Sequence, residues 1–162
     1  MQKIVVIGCP GAGKSTFARK LRDKLQLPLY YLDQLWHRAD QTTITMDEFI
    51  EAQKAITEQE CWIIDGNYLN TLELRLAACD TVFFLDLPSE VCFESVKQRI
   101  GQPREDMPWI EQEFAAEFQQ WILDFPVAQR PAIWKLLDKY RQNKEIIVFE
   151  TRKATEEYLD LK

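Results

Sequence analysis

The chain is poor in the residues from which most small catalytic sites are built. One histidine, His37, stands among 162 residues, which removes most histidine-based metal centres and most serine–histidine arrangements. Four cysteines, Cys9, Cys61, Cys79 and Cys92, never fall into a C-x-x-C spacing. Neither a zinc site nor a redox motif is indicated, and the reduced thiols of a cytoplasmic protein are expected. Basic charge is in deficit, 20 Lys and Arg against 26 Asp and Glu for a net charge of -6. That argues against a surface built to neutralise a nucleic-acid backbone or an anionic membrane, so direct DNA binding is not expected and small-molecule partners fit better. There is no signal peptide, no apolar run long enough to span a membrane, no repeat and no low-complexity tract. With 46% hydrophobic residues the chain fills one core and is too short for two, which makes residues 1–162 a single domain.

Glycine is scarce as well, five in all, yet three of them gather at positions 8, 11 and 13. They lie in Lys3–Thr16, KIVVIGCPGAGKST, whose second half fits G-x-x-x-x-G-K-[ST] through Gly8, Gly13, Lys14 and Ser15. A polyphosphate needs several backbone N–H groups aimed inward, and a glycine-rich curve supplies them without side chains in the way. Gly8, Cys9, Pro10, Gly11, Ala12, Gly13, Lys14, Ser15 and Thr16 are therefore read as a loop that binds ATP or another nucleoside triphosphate. Lys14 reaches the outer phosphates, the Ser15 hydroxyl is a ligand for Mg²⁺, and the helix that follows turns its positive end to the anion. Cys9, inside the loop, is open to acidification by Lys14 and the loop amides.

Ile4–Ile7, apolar and β-branched, reads as a strand, and Lys14–Leu25 as an amphipathic helix. Further strands are expected at Pro28–Asp33, Cys61–Asp65, Thr81–Leu87 and Ile146–Phe149. Further helices are expected at about Met46–Gln59 behind a capping box of Thr45 and Glu48, from Asn70 with Glu73 through Ala78, and from Pro88 to Ile100. Pro108 starts another that runs through Phe125, Pro131 one that runs through Tyr140, and Thr151–Leu161 closes the chain. Residues 34–60 form an acceptor-binding insertion, and residues 100–108, with two prolines and three charges, a mobile lid. Near-continuous apolar strands alternating with helices mean an α/β three-layer sandwich, a parallel five-stranded sheet with helices on both faces. Ligands bind such sheets beyond the carboxyl ends of the strands, where Gly8, Asp33, Asp65 and Asp86 all fall.

Asp65 is placed to hold a water on the Mg²⁺ that Ser15 ligates, its competing use being a turn before Gly66. Asp33, one strand over, could orient or deprotonate an attacking hydroxyl, or cap a helix. Trp36 and His37 follow closely and could line the acceptor pocket. Arg75, Arg99, Arg104 and Arg130 are the cations available to clamp a transferred phosphate, since phosphoryl transfer is catalysed chiefly by positioning and charge neutralisation; each could instead form a salt bridge. Arg99 and Arg104 bracket the lid, and closure would carry them inward. The expected catalytic set is Lys14, Asp33, Arg99 and Arg104, and the acceptor set Asp33, Trp36, His37, Arg75 and Arg130. Asp86 is expected to support structure.

Gly8–Thr16, Asp65-Gly66 and Asp86-Leu87-Pro88-Ser89-Glu90 resemble the nucleotide-kinase branch of P-loop proteins, the adenylate kinase-like fold, over most of the chain. More narrowly, Leu32–Trp36, Trp62–Tyr68, Leu74–Leu76 and Phe125-Pro126 through Arg130-Pro131 are similar to the bacterial DNA topology modulation proteins. The resemblance implies ATP, Mg²⁺ and phosphotransfer to a small acceptor. It departs where adenylate kinases follow Asp-Gly with an aromatic, Pro and Arg that help bind the AMP phosphate, because Asn67-Tyr68-Leu69 stands here. Of the two arginines on the family's pre-lid helix only Arg99 is matched, and Ser95 takes the place of the one that stacks on adenine. Two uses stay open. One is a kinase moving the γ-phosphate of ATP to a nucleotide, nucleoside or other hydroxyl compound; the other is a nucleotide-binding regulator linked to DNA topology or gene expression. Slow NTP hydrolysis is a third.

Overall fold

The computed structural model describes all 162 residues. Strand β1 (Lys3–Gly8) is the middle of a five-stranded parallel sheet of order β2-β3-β1-β4-β5, formed with β2 (Leu29–Tyr31), β3 (Trp62–Asp65), β4 (Thr81–Leu85) and β5 (Glu145–Phe149). Ile4, Val5, Val6 and Ile7 are fully buried, as β-branched residues with strands on both sides and helices on both faces should be. The helices are α1 (Lys14–Leu25), α2 (Leu32–Trp36), α3 (Met46–Thr57), α4 (Leu69–Ala78), α5 (Ser89–Arg99), α6 (Ala116–Ala128), α7 (Arg130–Tyr140) and α8 (Arg152–Asp160).

The crossover from β1 to β2 runs opposite in sense to those leaving β2, β3 and β4. Right-handed connections therefore put α1 on one face of the sheet and α3, α4 and α5–α7 on the other. Helix α8 returns to the side of α1, where Phe17 of α1 and Tyr158 of α8 enclose Phe83 and Phe149. Phe84, the next residue along β4, points the opposite way and meets Trp134 of α7 edge-on at 5.5 Å. Adjacent strands β1 and β4 thus send their connections to opposite faces, and the crevice this opens at their carboxyl ends is where an α/β sheet receives ligands. No helix is long and apolar enough to cross a membrane.

The expected elements are present, with two corrections of extent and two of side-chain partners. The second strand ends at Tyr31 and the chain turns into α2, because Leu32 folds in against Gly66, where there is no room for a side chain. Asp33 therefore sits in the first turn of a helix. The helix expected from Pro108 begins only at Ala116, and the irregular stretch runs from Gly101 to Ala115. Contacts from afar hold it open: Gly101 N–H donates to the Glu111 carbonyl at 2.7 Å, and Phe114 packs on Phe93 at 5.0 Å. At Thr45 the hydroxyl accepts from Glu48 N–H at 3.1 Å, while the Glu48 carboxylate turns to Arg38 at 3.8 Å. Only half of that capping box forms. Glu73, expected at the start of α4, instead reaches Lys139 and Tyr140 on α7.

Candidate active site

A cavity of about 940 Å³ opens at the carboxyl edge of the sheet, large enough for a nucleotide and a second small molecule together. The loop from Pro10 to Thr16 forms one wall, and Asp33, His37, Tyr68 and the irregular stretch after α5 form the other. At the root of the loop, Gly8 N–H donates to Asn67 Oδ1 at 2.9 Å and Asn67 Nδ2 donates back to the Gly8 carbonyl. This amide does for the end of β1 what the peptide of a neighbouring strand would do. Gly13, at φ 96°, starts α1 with no side-chain cap, which leaves the first-turn amides available to an anion. Gly11, at φ 86°, lies so close to the Cys92 carbonyl of α5 that any side chain would collide with it.

Cys9 and Ala12 turn into the core. The Cys9 thiol lies 3.9 Å from the Ile122 carbonyl, which has no helical donor because Pro126 stands where that N–H would be. The neighbouring Cys92 thiol and burial hold Cys9 far above the usual thiol range. The expected acidification by Lys14 is overturned, and the residue serves packing. Lys14 Nζ caps the Cys9 carbonyl of its own loop at 3.3 Å.

The Ser15 hydroxyl donates to Asp65 Oδ2 at 2.6 Å. The other oxygen, Asp65 Oδ1, is buried without a partner, and burial pushes this carboxyl up to about 6 despite the nearby Lys14 ammonium. A hydroxyl beside a carboxylate with an orphaned lone pair, at the mouth of a glycine-rich loop, is a donor set that suits a hard divalent cation. No cluster of three acidic, histidine or cysteine side chains could cage a metal, so such an ion would complete its shell with phosphate and water.

Across the cavity the Tyr68 hydroxyl donates to Asp33 Oδ1 at 2.6 Å. Burial raises the Tyr68 phenol above its usual range, which keeps it a donor. Its backbone stands at φ 40°, in the left-handed region, a cost for a bulky residue, met here by ring contacts to Phe49 at 4.9 Å and Trp36 at 6.3 Å. His37 faces the cavity edge-on to Trp109 at 4.9 Å, and burial lowers its pKa, so the ring is neutral at pH 7.

The chain matches a shikimate kinase from Acinetobacter baumannii in complex with shikimate at a TM-score of 0.64 and 18% identity, covering 99% of this chain and 92% of that one. A shikimate kinase from Bacteroides thetaiotaomicron matches at a TM-score of 0.55 and 21% identity, covering 98% and 94%. The fold is that of the P-loop kinases. No family model and no curated protein matches the chain.

Within the P-loop kinase fold the arginines divide. Arg99 and Arg104 reach the cavity, where Arg104 pairs with Glu111 at 2.9 Å and Asp106 at 3.3 Å, and Arg99 approaches Glu111 at 3.8 Å. The stretch carrying them is pinned by Glu105, which takes the Tyr31 hydroxyl, the Gln34 amide and, at 3.2 Å, Arg22. Arg75 and Arg130 are placed otherwise than expected. Arg75 is fully buried beneath the Gly66–Asn67 turn, donating to Gln53 Oε1 at 2.7 Å, Thr71 Oγ1 at 2.9 Å and the carbonyls of Gly66 and Asn67. Arg130 grips Asp86 through a two-pronged fork at 2.8 to 3.0 Å, and neither lines the cavity. Trp36 likewise packs on Phe49 at 5.1 Å, outside the lining.

Three residues were given no part in the site by the sequence reading: Asn67, Tyr68 and Arg152. Arg152 donates to the Gly11 carbonyl at 2.8 Å, the Ala12 carbonyl at 3.4 Å and Ser95 Oγ, tying α8 and α5 to the loop. Its only sequence signal is its place just after the last strand.

Proposed function

We propose that the protein is an ATP-dependent kinase that moves the γ-phosphate to the hydroxyl of a small molecule. One observation carries this: the loop with Lys14, Ser15 and Asp65 and the carboxylate of Asp33 face each other across one cavity. The names of the fold neighbours, shikimate kinases, support a hydroxyl acceptor. In this reading residues Gly8–Thr16 wrap the triphosphate, and Lys14 swings from the Cys9 carbonyl to its outer oxygens. Ser15 and Asp65 would hold Mg²⁺, which when bound neutralises phosphate charge. Arg99 and Arg104, on a lid that includes residues 100–108, stabilise the transferring group. The insertion over residues 34–60 would bind the acceptor beside Asp33: the acceptor oxygen forms a bond to γ-phosphorus, the bond from γ-phosphorus to the ADP oxygen breaks, and Asp33 takes the hydroxyl proton. Tyr68 holds Asp33 in the orientation that this needs.

The segments Leu32–Trp36 and Trp62–Tyr68 keep the resemblance to DNA topology modulation proteins. A net charge of -6 favours a nucleotide-linked role there over DNA contact.

Asp65→Asn preserves shape and removes the charge, and it is expected to weaken apparent Mg²⁺ affinity by about tenfold or more, with Mg²⁺-free nucleotide binding unchanged. Titration of nucleotide affinity against Mg²⁺ reads this, and an unshifted curve would remove Asp65 from the metal. Asp33→Asn is expected to lower kcat by about 10²-fold or more while ATP affinity holds. Full-rate turnover by that variant would end its role as base. The function itself is tested by calorimetry with Mg²⁺ and a non-hydrolysable ATP analogue, followed by ADP release across a panel of hydroxyl compounds; absence of nucleotide binding refutes it. Acceptor-independent ADP release alone would make the protein an NTPase instead.

A further inference from the structure

The acceptor half of the cavity has no cation to spare. The lining holds five side-chain cations against six carboxylates, and each cation is already engaged. Lys14 and Arg152 bond carbonyls of the glycine-rich loop, Arg19 reaches back along α1 to Thr16 at 3.2 Å, and Arg99 and Arg104 share Glu111, with Arg104 pairing with Asp106 as well. A triphosphate carries about four negative charges at neutral pH, and these five are the only side-chain cations lining the cavity. The two arginines that might have met an anionic acceptor, Arg75 and Arg130, lie outside the cavity. Left at the acceptor end are the Asp33 carboxylate, a protonated Tyr68 hydroxyl, a neutral His37 and the Trp109 ring.

That is a surface for hydroxyls or for an ammonium. Asp33 accepts from either, and the Trp109 side chain lines the cavity beside it, an aromatic group that suits a cation or the C–H side of a sugar. A phosphomonoester or carboxylate placed there would face Asp33, which Tyr68 bonds and no cation pairs, and the like-charge cost would exclude it. Resting on the kinase reading above, we infer that the acceptor is a hydroxyl compound bearing no negative charge, a polyol or amino sugar. The reaction balances as ATP plus R–OH giving ADP, R–O–phosphate and one proton.

The test measures ADP formation, and the mass of the phosphorylated product, with the wild-type protein at saturating Mg²⁺–ATP. The probes are glucosamine and ethanolamine as cations, myo-inositol and glycerol as neutral polyols, AMP as a phosphomonoester and quinate as a hydroxy acid. Turnover of a cationic or neutral probe at least about tenfold above the acceptor-free rate, with AMP and quinate at that background, is the expected result. Turnover of AMP or quinate overturns the inference and leaves the kinase reading standing. Silence of all four uncharged and cationic probes, with ATP binding intact by calorimetry, overturns it too. Failure to bind ATP would instead take both readings together.

Discussion

Lys14→Met is expected to lower kcat by about 10²- to 10³-fold, the loss seen when one preorganised electrostatic contact to a transition state is deleted. The lysine makes one weak bond, to the Cys9 carbonyl at 3.3 Å, so little of the fold depends on it. The variant should therefore melt within about 1 kcal/mol of the parent, a shift of no more than about 2–4 °C. Methionine keeps the stem and removes only the ammonium. Steady-state kinetics paired with a thermal melt separates the two effects, and a kcat within about tenfold of the parent would mean that the loop grips something other than a reacting phosphate.

Arg75→Ala is expected to do the reverse. The guanidinium is fully buried, with burial pushing its pKa down to about 9, and it faces only neutral acceptors. Its removal leaves Gln53 Oε1 and the carbonyls of Gly66 and Asn67 without donors in a dry interior. Unsatisfied groups of that kind cost about 1–3 kcal/mol each, and the variant should lose about 3–5 kcal/mol in all. The melting point would fall by about 10 °C or more. Below its melting range the acceptor KM should hold, because the side chain never reaches the cavity. A stable variant with a raised KM would return Arg75 to the substrate.

The first third of the site was legible because its logic is local. Gly8 through Ser15 specify a loop by spacing alone, and Lys14–Leu25 repeats its apolar positions at helical period. Asp65 could be placed opposite Ser15 because parallel strands end at one rim. The arginines could not be sorted this way, since a long cation is committed by whatever lies at its tip. Arg75 follows Thr71 by one helical turn, and that inward stripe is visible only once α3 supplies Gln53. The stretch after Pro108 shows the same limit from the other side. Its aromatic spacing suits a helix, but Trp109 meets His37 and Glu111 meets Arg104, and these distant partners outweigh a preference worth a few tenths of a kcal/mol per residue.

The contact of Gly11 with α5 has a mechanical result. With no side chain between them, the glycine-rich loop and the helix are pressed together at Cys92, and Arg99 ends that same helix, about 10 Å farther along at 1.5 Å per residue. One helix then links the turn that touches Gly11 to Arg99, a cation lining the cavity. On the kinase reading proposed above, a shift of the loop against the Cys92 turn would be carried along α5 to Arg99 with no hinge between them.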